Sequence, residues 1–491
     1  MYRFGYSVNK TVCQYSWKCN TVLEWSRSIH NKLFTSSQQI QHKLGLFDSP
    51  VKLKGVKISQ TRHLSSSRMN LAPSIEFKPT GHLLVDEELE IIVKGLNKQH
   101  AVSVYAKLSE EGKHFESCAC FNADDNGIVN LKNHPSLSGT YTGVSSMGLF
   151  WSMVPCSGQM EGIRLAKKNI DTPFITDISV YNNHHTLNEI RDKTSNDICS
   201  TVIERWYKSP DVICHEVHDG NIRGKLYMPA GKGPFPGVID LFGTVGGITE
   251  FRSALLASRG IISLSLPYFL YKDLPKSLGE ISLDYFLEAV DWLFHHDKVF
   301  PGGIGVVGVS KGGDLALIMS AYSPKVRAVV NINGCTFNAT LPLKYSGGDI
   351  PEIPLHLDKL ENMDGKYIMK NCFEYTSDDI TPVWNHGAKV LNILSEDDMC
   401  SPGECITLLK ETYPKDKTND CIVLTYPDAG HLVEPPYTPL CNMSYHKSYD
   451  MYFMWGGKPE AHAFAQEDSW KNILRFFKSE LTKTQFVTAK L

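Results

Sequence analysis

The sequence predicts an α/β fold: a mostly parallel sheet covered by helices, preceded by a small all-β, immunoglobulin-like sandwich. Three observations carry this expectation. Short apolar runs recur at regular intervals from residue 210 onward and alternate with helical patterns, as in a parallel sheet buried on both faces. Between residues 72 and 205 apolar side chains instead alternate with period 2, and turn signals separate the runs. A Gly-x-Ser-x-Gly string then sits between an apolar strand and a helix-forming run, Gly308-Val309-Ser310-Lys311-Gly312.

The chain has 491 residues, too many for one ordinary domain, and a net charge of −3 that hides an uneven distribution. Residues 1–70 hold eleven Lys/Arg against two acids, Glu24 and Asp48, a net of +9, so the remainder carries −12. A body so acidic argues against nucleic-acid binding. The basic, Ser-rich, acid-poor residues 1–70 have the composition of a mitochondrial leader, with a processing point expected near the stretch ending at Asn70. No run approaches the 18 or so apolar residues needed to span a bilayer, so no integral membrane segment is expected. The thirteen cysteines contain no CxxC pair. No metal site or other cofactor is therefore expected, and the thiols are read as free in a reducing compartment.

In the 72–205 stretch, Leu89, Ile91 and Val93 alternate with other residues, as do Val102, Val104, Ala106 and Leu108, and Asp125-Asn126-Gly127 marks a turn. The 210–482 region opens with a hairpin, Ile213–Val217 and Ile222–Tyr227 around Asp219-Gly220-Asn221. Strands are then expected at 237–241, 261–266, 304–309, 326–332, 390–394 and 421–425. Leu283, Phe286, Leu287, Val290, Leu293 and Phe294 share one face of a helix. The residues between the 332 and 390 strands show little periodicity and are expected to fold over the sheet edge as a cap.

A serine hydroxyl is a poor nucleophile until a base takes its proton, so the Ser310 elbow requires an acid and a histidine farther along. Asp398 follows the 390–394 strand and His431 follows the 421–425 strand, giving the order Ser310, Asp398, His431 of α/β-hydrolases. Asp397 competes with Asp398 for the acid role. His462, placed just before the last helix, competes with His431. Ser310 itself could be read as a simple helix N-cap. The oxyanion donors are expected from the N–H of Lys311 and from the loop after the 237–241 strand, at Gly243 or Thr244.

Several segments then carry a resemblance: FPGVIDLFGTVGGITEFRSALLASRG, GVVGVSKGGDLAL, SEDD, YPDAGHLVEPPYTPLC and WGGKPEAHAFAQEDSWKNILRFF. Over Pro73 to Phe477 the chain resembles the type I acyl-CoA thioesterase and bile acid-CoA:amino acid N-acyltransferase family. The resemblance implies hydrolysis of acyl-CoA by a triad of Ser310, Asp398 and His431, and charge alone suggests Lys311 and Lys232 for the phosphates of coenzyme A. The family's conjugating members carry cysteine at the elbow, so Ser310 favours hydrolysis over transfer to glycine or taurine. Where the family's thioesterases usually continue with a His-Asn-Trp-Lys-like run, this chain has Met399-Cys400-Ser401-Pro402, which alters the rim of the site.

The expected function is therefore a fatty acyl-CoA thioesterase, with an N-acyltransferase or a general carboxylesterase as alternatives. The expected address is the mitochondrial matrix. Residues 483–491 end Ala489-Lys490-Leu491, a conservative variant of a peroxisomal signal, and a start at Met69 would remove the leader and favour that second address.

Overall fold

In the computed structural model, which describes residues 72–483 apart from 161, 193–195 and 447–448, the period-2 runs of the first layer become sandwich strands. The expected leader, its processing point and the Ala-Lys-Leu tail lie outside the described residues. Strands Ser74–Lys78, Glu90–Lys94 and Val129–Asn130 form one sheet. The second is built on the antiparallel ladder of Ala101–Glu110 between Lys113–Asn122 and Phe174–Asn182. Ile91 and Val93 on one sheet and Val102, Val104 and Ala106 on the other are fully buried and belong to one core. Alternation thus reports the buried face, because successive side chains on a strand point to opposite sides.

The large sheet has eight strands: β1 Ile213–Asp219, β2 Ile222–Met228, β3 Gly237–Leu241, β4 Ile262–Ser265, β5 Ile304–Val309, β6 Val326–Ile332, β7 Lys389–Ser395 and β8 Cys421–Tyr426. Their order is β1-β2-β4-β3-β5-β6-β7-β8. β2 runs antiparallel to both its neighbours, β1 and β4, and β3 through β8 pair in parallel. This is an α/β-hydrolase sheet after a β-sandwich, as the periodicity predicts. Every residue of β3, β4 and β5 is buried, which is why these strands read as unbroken apolar runs. Helix Leu283–Phe294 buries Leu283, Phe286, Val290 and Leu293, and the Ser282 hydroxyl caps it by accepting the Asp284 N–H.

The sandwich and the large sheet share a continuous core. Arg259, at the end of helix Phe251–Ser258, pairs with Asp86 of the sandwich layer, and Trp470 Nε1 donates to the same carboxylate at 2.8 Å. Deeper still, Arg252 Nε donates to Asp240 Oδ1 at 2.7 Å and Ser253 Oγ to Asp240 Oδ2 at 2.9 Å, with both charged side chains under 5% exposed. Replacing Asp240 with Ala strands a buried guanidinium, and we expect a loss of about 3–5 kcal/mol in urea denaturation. A change below 1 kcal/mol would contradict this assignment of the pair.

The 333–388 segment is more ordered than its sequence suggests. It forms a hairpin, Leu343–Tyr345 with Gly348–Ile350. A second pair, Glu361–Met363 with Lys366–Ile368, joins Met451–Met454 and Met443–His446 in a four-stranded sheet. Its strands are only three or four residues long, too short to show a period, and half of them come from residues beyond 440. From this segment Leu355, Met369 and Phe373 reach the cleft at Ser310.

Candidate active site

Ser310 follows the last residue of β5 directly and precedes helix Lys311–Tyr322. Its backbone has φ 56° and ψ −130°, a strained conformation for a residue with a side chain. The turn is held by the Ser310 N–H donating to Ile332 O at 2.9 Å and the Gly313 N–H donating to Ser310 O at 2.7 Å. Two of the flanking glycines are obligatory here. A Cβ at Gly308 would lie 1.9 Å from Gly312 O, and one at Gly312 would lie 2.6 Å from Phe242 O. Ser310 occupies the N-cap position but its side chain makes no capping bond, so the N-cap reading does not account for it.

Asp398 and His431 sit just beyond β7 and β8, at the same end of the sheet as Ser310. His431 Nδ1 and Asp398 Oδ2 are 2.8 Å apart, and both side chains are nearly inaccessible to solvent. The other oxygen, Oδ1, accepts the N–H groups of Cys400 at 2.7 Å and Ser401 at 3.0 Å, which orients the carboxylate. Burial opposes charging of the imidazole, but the Asp398 carboxylate, helped by Cys400, outweighs it and holds His431 well above 6.5. The Trp455 ring stacks on His431 with centroids 5.5 Å apart.

Both rivals have other work. Asp397 Oδ2 accepts the Gly457 N–H at 2.8 Å, a loop bond. His462 lies inside the final helix, Pro459–Leu481, and not before it. Its two ring nitrogens contact the Gly430 N–H and Leu432 O, both at 3.1 Å, and burial pushes it down to about 4, so it stays neutral and braces the His431 loop.

Ser310 lines a cleft that it shares with Thr244, Cys400, Tyr449 and Trp455. Among the described residues Ser310 Oγ makes no hydrogen bond; nucleophile–base bonds are often long until substrate enters. The 242–247 loop lies against it, close enough that a Cβ at Gly243 would sit 3.5 Å from Ser310 Oγ. Tyr268 Oη is 2.7 Å from the carbonyl oxygens of both Phe242 and Gly243 and fixes how this loop presents its peptide groups. The Lys311 ammonium is buried, bonded to Asn338 Oδ1 at 2.9 Å and Ala339 O at 2.7 Å, with Asp314 at 3.4 Å. It is therefore committed to the protein, and the suggestion that it meets coenzyme A phosphates is withdrawn.

Sequence reasoning missed several residues of this neighbourhood. Asn333, at φ 50°, accepts the Ser395 N–H at 2.9 Å and donates to His431 O at 2.8 Å, tying the loops after β6, β7 and β8 together. Thr244 Oγ1 lies 3.2 Å from His446 Nε2, a histidine contributed by the four-stranded sheet. A positive-φ Asn is a weak local sign of such a junction, whereas nothing local announces Tyr268 or His446.

Comparison with known proteins gives this geometry a lineage. Residues 86–219 match the family described as acyl-CoA thioester hydrolase/BAAT N-terminal region, and residues 281–483 match BAAT/acyl-CoA thioester hydrolase C terminal. The chain is 37% identical to acyl-coenzyme A amino acid N-acyltransferase 1 of Mus musculus, over 82% of this chain and 96% of that one. It is 35% identical to the peroxisomal succinyl-coenzyme A thioesterase of Mus musculus, over 84% and 98%. With the mitochondrial acyl-coenzyme A thioesterase 2 of Homo sapiens it shares 33% identity, over 84% and 85%. The chain belongs to the acyl-CoA thioester hydrolase/BAAT family.

Proposed function

We propose that the protein hydrolyses fatty acyl-CoA to free fatty acid and coenzyme A through an acyl-enzyme on Ser310. The observation that carries this reading is the strained Ser310 elbow opening on a cleft beside the Asp398–His431 pair. Residues 72–205 are the sandwich domain and 210–482 the catalytic domain in this reading. His431 accepts the Ser310 proton as Oγ attacks the thioester carbonyl, and Asp398 holds the imidazole in the tautomer that leaves Nε2 free. The oxyanion is received by the Lys311 N–H and by that of Gly243 or Thr244. Coenzyme A departs as a thiolate, a good leaving group, so acid assistance matters less than for an amide. His431 then activates water against the acyl-serine ester.

Wild-type protein should release coenzyme A from at least one member of a series running from acetyl-CoA to palmitoyl-CoA. Release from none of them would overturn the reading. The N-acyltransferase relative keeps a second reading open, transfer of the acyl group to an amino acid. Ser310 supports hydrolysis, because an oxygen ester yields to an amine less readily than a thioester does.

The base must be neutral to act, and Asp398 holds His431 above 6.5. We therefore expect kcat/KM to rise with pH through a midpoint above 6.5, as read in a pH–rate profile of free enzyme. A midpoint below 6.5 would contradict the role given to Asp398. For location, the basic composition of residues 1–70 supports the mitochondrial matrix, with the peroxisome as the alternative. Imaging an internally tagged full-length chain beside one starting at Met69 separates the two.

A further inference from the structure

The loop after β3 reaches the surface and is free to move on its own: Gly246 and Gly247 have φ 72° and 73°, and Val245 is 63% exposed. Donors on such a loop are preorganised only by contacts from outside it. One contact is the buried Tyr268 hydroxyl, 2.7 Å from the Gly243 carbonyl oxygen. In a trans peptide the N–H of the next residue, Thr244, points the opposite way. Neither that N–H nor the N–H of Gly243 donates to another backbone group among the described residues.

The second contact comes from His446, whose Nε2 lies 3.2 Å from Thr244 Oγ1. His446 ends strand Met443–His446, opposite Met451. Its ring packs on those of Tyr449 and Phe453, with centroids 4.9 and 6.0 Å away. Ser310, Thr244 and His446 line one cleft. Burial holds the imidazole below 6.5. Its other nitrogen, Nδ1, is buried without a hydrogen-bond partner among the described residues. The polar contact this ring makes is thus to the loop beside the nucleophile.

We propose that His446 is a positioning residue of the oxyanion hole: by holding the Thr244 hydroxyl it fixes the Gly243–Thr244 peptide, whose N–H receives the oxygen of the tetrahedral intermediate. The inference rests on the acyl-CoA reading above. A short sheet outside the eight-stranded one thereby completes the hole, while His431 alone moves the proton. The benefit arises only when the carbonyl oxygen becomes an oxyanion, so it enters kcat and not ground-state binding.

The test compares full-length His446→Phe and Thr244→Val with wild type on palmitoyl-CoA. Phenylalanine keeps the ring against Tyr449 and Phe453, and valine keeps the shape of threonine, but each removes the hydrogen bond. Each variant should lose about 10- to 100-fold in kcat, less than the loss of an oxyanion donor itself, with KM within about twofold. The double variant should fall no further than the slower single, because both remove one bond. His446→Gln, whose amide reaches the Nε2 position, and Thr244→Ser should recover most of the rate. A long-chain alkyl trifluoromethyl ketone, which forms a hemiketal oxyanion on Ser310, should bind more weakly by the factor that kcat/KM falls. S-hexadecyl-CoA, a thioether that forms no oxyanion, should bind as it does to wild type. Unchanged kcat in Thr244→Val or in folded His446→Phe, a loss confined to KM, or unchanged affinity for the ketone would each overturn the proposal. If His446→Phe lacks a melting transition, Thr244→Val and its serine counterpart decide. Wild-type protein releasing no coenzyme A would instead remove the reading on which the proposal rests.

Discussion

Ser310→Ala is expected to lower steady-state release of coenzyme A from palmitoyl-CoA by roughly a thousandfold to a millionfold, the range seen when a hydrolase loses its nucleophile. The substitution removes one oxygen that makes no hydrogen bond among the described residues, so the melting temperature should hardly move. The strained backbone persists in the variant, since alanine meets the same penalty as serine at φ 56°. A large loss of turnover with unchanged stability would place the defect in the chemistry. Near-wild-type steady-state hydrolysis by the variant would remove Ser310 from the mechanism. Thiol release followed over many turnovers is the measurement.

Asp398→Asn should cost about 10³- to 10⁴-fold in kcat while leaving the loop nearly intact. The asparagine oxygen can still accept the N–H groups that Cys400 and Ser401 present to Oδ1. Its amide nitrogen, however, then faces His431 Nδ1 and donates to it. The ring proton moves to Nε2, the atom that should act as base, and the site holds the wrong tautomer. The pH–rate midpoint should also fall, because the carboxylate that raises His431 is gone. Stability follows with a definite sign. A histidine raised above 6.5 contributes stability that is fully present below that value and is lost as pH rises through the folded-state value. A variant with unchanged kcat would contradict the Asp398 assignment.

The parts of the site that sequence reasoning reached are those encoded locally. The elbow is legible because its glycines answer a clash within five residues, Gly308 against Gly312 O. Asp398 and His431 are legible because each follows a buried apolar strand, and the end of a parallel strand is where this fold places its chemistry. The sandwich is legible because alternation and burial coincide at Val102, Val104 and Ala106.

What escaped depends on chain brought from elsewhere. His446 reaches Thr244 across about two hundred residues, and Tyr268 fixes the 242–247 loop from beyond β4. The segment after β6 gains its order by pairing Lys366–Ile368 with Met451–Met454, a partner no local period could reveal. Charge alone misread Lys311, since a lysine beside a nucleophile looks available until its ammonium is found buried against Asn338 and Ala339. The Met399-Cys400-Ser401-Pro402 departure was visible as a difference, but its consequence was not. Only the folded loop aims the N–H groups of Cys400 and Ser401 at Asp398 Oδ1.

The central claim, that an acyl group from coenzyme A leaves this enzyme on water, is tested most directly by product analysis. Wild-type protein is incubated with palmitoyl-CoA in excess glycine and taurine, and the products are resolved by mass. Free palmitate as the main product, with coenzyme A released in equal amount, is the result predicted. N-palmitoylglycine or N-palmitoyltaurine as the main product would contradict it.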